Sequence, residues 1–172
     1  GQATITCNAR VSFGDDGLTD IPSTGAILTI NDIVVDGTLT GQVLASKLVT
    51  VNLYNLDSSL STSVVANPDG TFSLTAPAGA YTVDATASGF LGAQGPAVIT
   101  AGETSTKPTI SLIAGDIDGN GVIDQYDAMT IGMSYNTATP DAADLNADGI
   151  INVLDLEILA ANYRASGPQD WQ

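Results

Sequence analysis

GDIDGNGVIDQYD, from Gly115 to Asp127, decides how this chain is read, and ADLNADGIINVLD, from Ala143 to Asp155, repeats it. Counted from the first aspartate, Asp116, Asp118, Asn120, Asp124 and Asp127 stand at positions 1, 3, 5, 9 and 12 of the first copy. Asp144, Asn146, Asp148, Asn152 and Asp155 take the same positions in the second. Gly121 and Gly149 fall at position 6, where the backbone turns sharply and a Cβ would obstruct. Position 7, Val122 or Ile150, contributes its backbone carbonyl. Such alternation lets carboxylates and amides converge on a hard cation that takes six to eight oxygens at about 2.3–2.6 Å. The spacing is that of a calcium loop, and two copies imply two Ca²⁺ ions.

Composition restricts the rest. The chain has 172 residues, a formal net charge of −15, four basic side chains and no histidine. A surface this acidic repels nucleic-acid phosphates and anionic lipid, so neither is expected as a partner. Seven of the aspartates lie in the two loops, and two bound Ca²⁺ would bring the charge from −15 to −11. Without histidine, without a serine-nucleophile motif and with only Glu103 and Glu157 as glutamates, an enzyme is not expected. Cys7 stands alone and cannot close an internal disulfide; a small buried hydrophobe and an intermolecular link both remain open. No signal peptide or membrane-length apolar run is present, so a chain starting at Gly1 reads as a mature secreted product.

Short strands and turns fill the N-terminal two-thirds. Residues 3–13 alternate, with Ile5, Cys7, Ala9, Val11 and Phe13 on one face, and predict a long half-buried strand that could complete its own sheet or a neighbouring copy's. A loop follows over 14–25; its Asp15, Asp16 and Asp20 could help hold a third ion but follow no loop motif. Strands are expected over Ala26–Val35, Thr38–Leu44, Leu48–Asn55, Leu60–Ala66, Thr71–Thr75, Tyr81–Ala87, Ala97–Thr100 and Lys107–Leu112. Asn67-Pro68-Asp69-Gly70 and Ala76-Pro77-Ala78-Gly79 mark turns. The fold class is therefore mainly β, an antiparallel β-sandwich over 1–112, followed by a small α-helical calcium-binding domain over 113–172. Helices are expected at Tyr126–Tyr135 and Val153–Arg164, the second carrying Val153, Leu154, Ile158 and Ala161 near one face.

Two resemblances are carried by these residues. NPDGTFSLTAPAGAYTVDATASGF, residues 67–90, followed by VITAGETSTKPTISL, resembles the carboxypeptidase-regulatory-like domain, a transthyretin-like sandwich. That likeness covers 38–112 and implies a non-catalytic spacer or adhesion module of secreted and surface proteins. The duplicated EF-hand-like loops, each lacking an entering helix and joined by Asn136–Ala143, closely resemble a dockerin over 113–165. Dockerins bind cohesins, themselves β-sandwiches, and the family's recognition centres on loop positions 10 and 11. These are Gln125 and Tyr126 in the first copy and Val153 and Leu154 in the second; the Ser-Thr pair of the best-known members is absent. Val153 and Leu154 could equally pack into the chain's own core.

The resemblances imply a non-catalytic extracellular assembly protein whose calcium-folded helix pair docks onto a cohesin-like sandwich or a neighbouring copy in a surface filament. The alternative is a carbohydrate-binding or adhesion accessory module of a secreted glycoside hydrolase system. Sugar binding normally needs a planar row of aromatics, and the three Phe, five Tyr and one Trp here are scattered. Trp171 reads as a clasp or packing contact.

Overall fold

The computed structural model describes residues 3–6, 11–12, 18–19, 27–30 and 35–172. The chain forms two compact units, Gly1–Val34 and Val35–Gln172. In the first, β1 (Ala3–Thr6), β2 (Val11–Ser12), β3 (Leu18–Thr19) and β4 (Ile27–Ile30) make two antiparallel pairs, β1 with β4 and β2 with β3. The strand expected over 3–13 is described only at 3–6 and 11–12, and these two ends pair with different partners. Cys7, Ala9 and Phe13, and likewise Asp15, Asp16 and Asp20, lie outside the described residues. The loop expected over 14–25 contains β3, a two-residue strand too short to leave an alternation pattern.

The second unit continues with β5 (Asp36–Leu44), β6 (Thr50–Tyr54), β7 (Leu60–Val65), β8 (Thr71–Pro77) and β9 (Gly79–Thr86). Then come β10 (Phe90–Leu91), β11 (Ala93–Ile99), β12 (Thr104–Thr106), β13 (Ile110–Ser111) and β14 (Ile113–Ala114). Helices α1 (Gln125–Met133) and α2 (Val153–Ala161) follow, and β15 (Gln169–Asp170) ends the chain. One sheet centres on β5, which pairs antiparallel with β8 and parallel with β12 and β13. The other runs β15-β11-β9-β6-β7.

Alternation builds the space between the sheets. In β8, Phe72, Leu74 and Ala76 are buried while Ser73, Thr75 and Pro77 are exposed; in β9, Tyr81, Val83 and Ala85 point inward. Leu39, Val43, Val51, Leu53 and Ile99 fill the same core. The turn at 67–70 forms as its residues dictate: the Gly70 amide donates to the Asn67 carbonyl at 2.8 Å with φ +80°. A Cβ on Gly70 would lie 2.2 Å from the Val43 carbonyl oxygen, so glycine is required twice over.

Two expected strands differ in extent. The one expected from Ala97 starts at Ala93, and the one expected over Lys107–Leu112 is reduced to β13, separated from the unforeseen β12 by a stretch containing Pro108, which has no N–H to donate. The ribbon β10–β14 joins the sandwich to the first loop, continued by the Gly115 amide donating to the Gly89 carbonyl at 2.8 Å. The second loop is tied in by Ser46 Oγ, which donates to the Leu145 carbonyl at 2.6 Å, and by Lys47, which pairs with Asp141.

Candidate calcium loops and docking helices

Each loop is a chain of short-range hydrogen bonds that its own side chains dictate. Asp127 at position 12 accepts from the amides of Ile117 (2.7 Å) and Asp118 (3.1 Å) on one oxygen and of Asp124 (2.8 Å) on the other. Asp155 repeats this bond for bond, accepting from Leu145 (2.7 Å), Asn146 (3.2 Å) and Asn152 (2.8 Å). Asp116 and Asp144 at position 1 accept from the amides of Gly121 (3.1 Å) and Gly149 (2.9 Å). Those amides are presented because both glycines take left-handed φ, +82° and +91°. At position 4, Gly119 takes φ +73°, whereas Ala147 bears a Cβ at φ +59°.

Asp124 and Asn152 at position 9 also start the helices. Each accepts from an amide of the first turn, Tyr126 at 2.7 Å and Leu154 at 2.8 Å, and with Asp127 or Asp155 completes a capping box. One residue at position 12 thus closes the loop and caps the helix, which fixes loop and helix to each other.

The electrostatics of the first loop call for a cation. Carboxylate oxygens of Asp116, Asp118 and Asp127 lie within 4.8 Å of one another, and Asp116 and Asp127 are buried. Burial lifts the Asp116 carboxyl above its usual range; the Gly121 amide opposes this, and the charges of Asp127 and Asp118 add to it. Asp116 Oδ1 is buried with no hydrogen-bond partner among the described residues. An orphaned acceptor of this kind costs about 1–3 kcal/mol, more when charged, unless something outside the protein's own donors satisfies it. The donor set, all hard oxygen, fits Ca²⁺.

The helices bury one narrow face each. Ile131 and Leu159, both 1% exposed, belong with Ile123, Ile151 and Leu145 to the core cluster that also takes in the sandwich residues. Val153 and Leu154, whose place was open from sequence, are 49% and 48% exposed and do not pack inward. The inward positions of α2 are instead Asp155 and Leu159, with Ile158 partly buried. Outside this core α1 shows Gln125, Tyr126, Met129 and Met133 to solvent, and α2 shows Leu156 beside Val153 and Leu154. Met129, Met133 and Leu156 were not among the residues expected from sequence. For the two methionines the signal was present as the spacing 126, 129, 133, a helical stripe.

Trp171 is 1% exposed and belongs to the sandwich core, edge-on to Phe72 with ring centroids 5.8 Å apart. Tyr81, Phe72 and Phe90 are buried as well, so these four rings offer no stacking surface to a sugar.

Comparison with known proteins agrees with this architecture. Residues 29–112 match the model of the carboxypeptidase regulatory-like domain, and residues 114–162 match that of the dockerin type I domain. Two crystal structures of interface mutants of a type II cohesin–X–dockerin complex from Acetivibrio cellulolyticus share the fold. The TM-scores are 0.59 and 0.60 at 23% and 24% identity, over 76% of this chain and 97% of each matched chain. No curated protein sequence matches. No helix among the described residues is long and apolar enough to cross a membrane. The chain carries a carboxypeptidase-regulatory-like β-sandwich followed by a dockerin type I domain, a protein–protein docking module of a calcium-binding kind.

Proposed function

We propose that this is a non-catalytic, extracellular assembly protein in which residues 1–112 form the spacer and residues 113–172 the docking domain. The two loops hold one Ca²⁺ each. In the first, the side chains of Asp116, Asp118, Asn120, Asp124 and Asp127 and the Val122 carbonyl are the ligands; in the second, those of Asp144, Asn146, Asp148, Asn152 and Asp155 and the Ile150 carbonyl. Bound calcium supplies positive charge that neutralises the clustered carboxylates and satisfies Asp116 Oδ1. The chain's own residues do the rest: Asp127 and Asp155 transmit loop geometry to the helix N-termini, which orients the exposed helix faces.

The partner is a protein with a flat β-sandwich face of cohesin type. The observation that carries this is the apolar exposure of Tyr126, Val153 and Leu154, at positions 10 and 11, on helices whose starts are set by the metal loops. Three exposed apolar residues flank them, Met129, Met133 and Leu156, so the partner face is expected to be apolar at its centre. Loss of two central apolar contacts costs about 2–4 kcal/mol, a factor of roughly 30 to 1,000 in affinity. The test is binding to a panel of purified cohesins in calcium and in chelator. We expect calcium-dependent binding that Val153→Asp with Leu154→Asp abolishes; binding that survives both chelator and this double variant would overturn the reading.

A copy of the same chain is the second partner to consider. Strand β7 ends its sheet among the described residues, and Leu60 and Val65 on it are more than half exposed, a template for strand addition. Such assembly could draw on the N-terminal segment 3–13, the expected assembly strand. Light scattering that stays at monomer mass over a wide concentration range in calcium excludes it.

A further inference from the structure

After α2 the chain makes two successive sets of backbone hydrogen bonds. The first set is to the first calcium loop: Arg164 N to Ile123 O (2.8 Å), Ile123 N to Ala165 O (2.9 Å) and Gly167 N to Gly121 O (2.9 Å). These bonds bracket Val122, whose carbonyl is the position-7 ligand proposed above. The second set is to the sandwich: Gln169 N to Gly92 O (2.7 Å) and Trp171 N to Gln94 O (2.9 Å), which lay β15 parallel along β11.

The end of the segment is then locked. The Trp171 ring is buried against Phe72, and its indole N–H donates to the Pro108 carbonyl at 2.8 Å. Lys107, itself buried, donates its ammonium to the Trp171 carbonyl (2.5 Å) and the Pro96 carbonyl (3.1 Å) and lies 5.5 Å from the indole centroid. Gly95 leaves room for this: a Cβ there would stand 1.8 Å from the Trp171 carbonyl oxygen.

The second loop is braced differently. Its position 8, Ile151, exchanges bonds with the linker, Asn136 N to Ile151 O (2.8 Å) and Ile151 N to Thr137 O (2.7 Å). Each loop is thus held at position 8 by chain leaving the opposite helix. Only for the first loop does that chain run on into the sandwich core.

We propose that residues 164–171 are the positioning element of the first metal loop, so that the two calcium sites are unequal: the first is coupled to the sandwich core through this segment, whereas the second meets the sandwich only through the Ser46 and Lys47 contacts. The inference rests on the calcium reading above. The segment pins the backbone at positions 6–8 in the ligating geometry before an ion arrives. Because linkage is reciprocal, an ion in the first loop in turn holds Trp171 in the sandwich.

The test follows the Gly121 and Gly149 amides by NMR during titration with chelator-buffered Ca²⁺, which reports the two loops separately in one molecule. Gly95→Ala lifts the segment off β11, and Trp171→Ala removes its anchor. In either variant we expect the Gly121 midpoint to move at least about tenfold to higher calcium, the range seen when outer-shell support of a metal site is lost, while the Gly149 midpoint stays in place. Equal movement of both glycines, or of neither, overturns the inference. Should both variants fail to fold, Lys107→Met, which keeps Trp171 and Gly95 and removes the ammonium held by the Trp171 and Pro96 carbonyls, decides by the same criterion. A wild-type protein in which neither glycine responds to calcium would instead sink the calcium reading itself. As an independent readout, the emission of Trp171, the sole tryptophan, should change with calcium in the wild type and not when the first loop is disabled by Asp116→Asn.

Discussion

At the scale of single residues, short polar side chains use one device in several places: a carboxylate or amide accepts an amide two residues on and fixes a turn. Asp69 accepts from both the amide (3.0 Å) and the hydroxyl (2.6 Å) of Thr71, and Asp57 does the same with Ser59 at 2.9 and 2.6 Å. In each case the side-chain hydroxyl, then the amide, holds the carboxyl below its ordinary range. A folded-state pKa below the unfolded one means stabilisation present above the unfolded value and lost as pH falls through the folded one. Thr71→Val should therefore raise the Asp69 pKa toward the ordinary value and leave Asp57 unchanged. A carbon-detected NMR titration of both carboxyls checks this, with Asp57 as the internal control.

At the scale of elements, the two helices are short and weakly self-sufficient, nine residues each, below the length at which an isolated helix persists in water. Their starts are secured by the capping boxes; their ends are not secured by any basic residue in the last turn. Within α1, Gly132 is exposed and a Cβ built on it meets nothing within 4 Å. Gly132→Ala should then stabilise α1 by about 0.5–1 kcal/mol, the backbone-entropy difference, without steric penalty. Chemical denaturation in saturating calcium measures it; a loss of stability would mean that the α1 face around residue 132 is occupied by something this chain does not itself supply.

At the scale of the whole molecule, charge is the dominant liability. With a net charge of −15 and seven aspartates in the two loops, the metal-free chain repels itself, whereas the two ions proposed above would reduce the charge to −11 and relieve the repulsion between Asp116, Asp118 and Asp127. Raising ionic strength from about 0.01 M to about 0.1 M shortens the screening length from roughly 30 Å to roughly 10 Å. The thermal midpoint in chelator should rise over that range, and the midpoint in calcium should rise less. Equal salt response with and without calcium would show that the loop carboxylates are not the source of the strain.

What was legible in the sequence follows from the range of the interactions. Every proposed ligand of a loop lies within twelve residues, so spacing alone announced the two capped loops, the helix starts and the sandwich turn at 67–70, whereas of the turn expected at 76–79 only Ala78 lies outside the strands. The inward alternation of β8 and β9 was legible for the same reason. The tertiary structure decided what depends on distant partners. Asp155 and Leu159, rather than Val153 and Leu154, are the buried residues of α2, Leu159 in one cluster with Ile123, Leu145 and Ile151. Trp171 is buried with its indole N–H on the Pro108 carbonyl, 63 residues away in the chain, and β15 beside it is two residues long, with no pattern to announce it. A period can be read from neighbours in sequence, but a face is buried only when another part of the chain arrives to cover it.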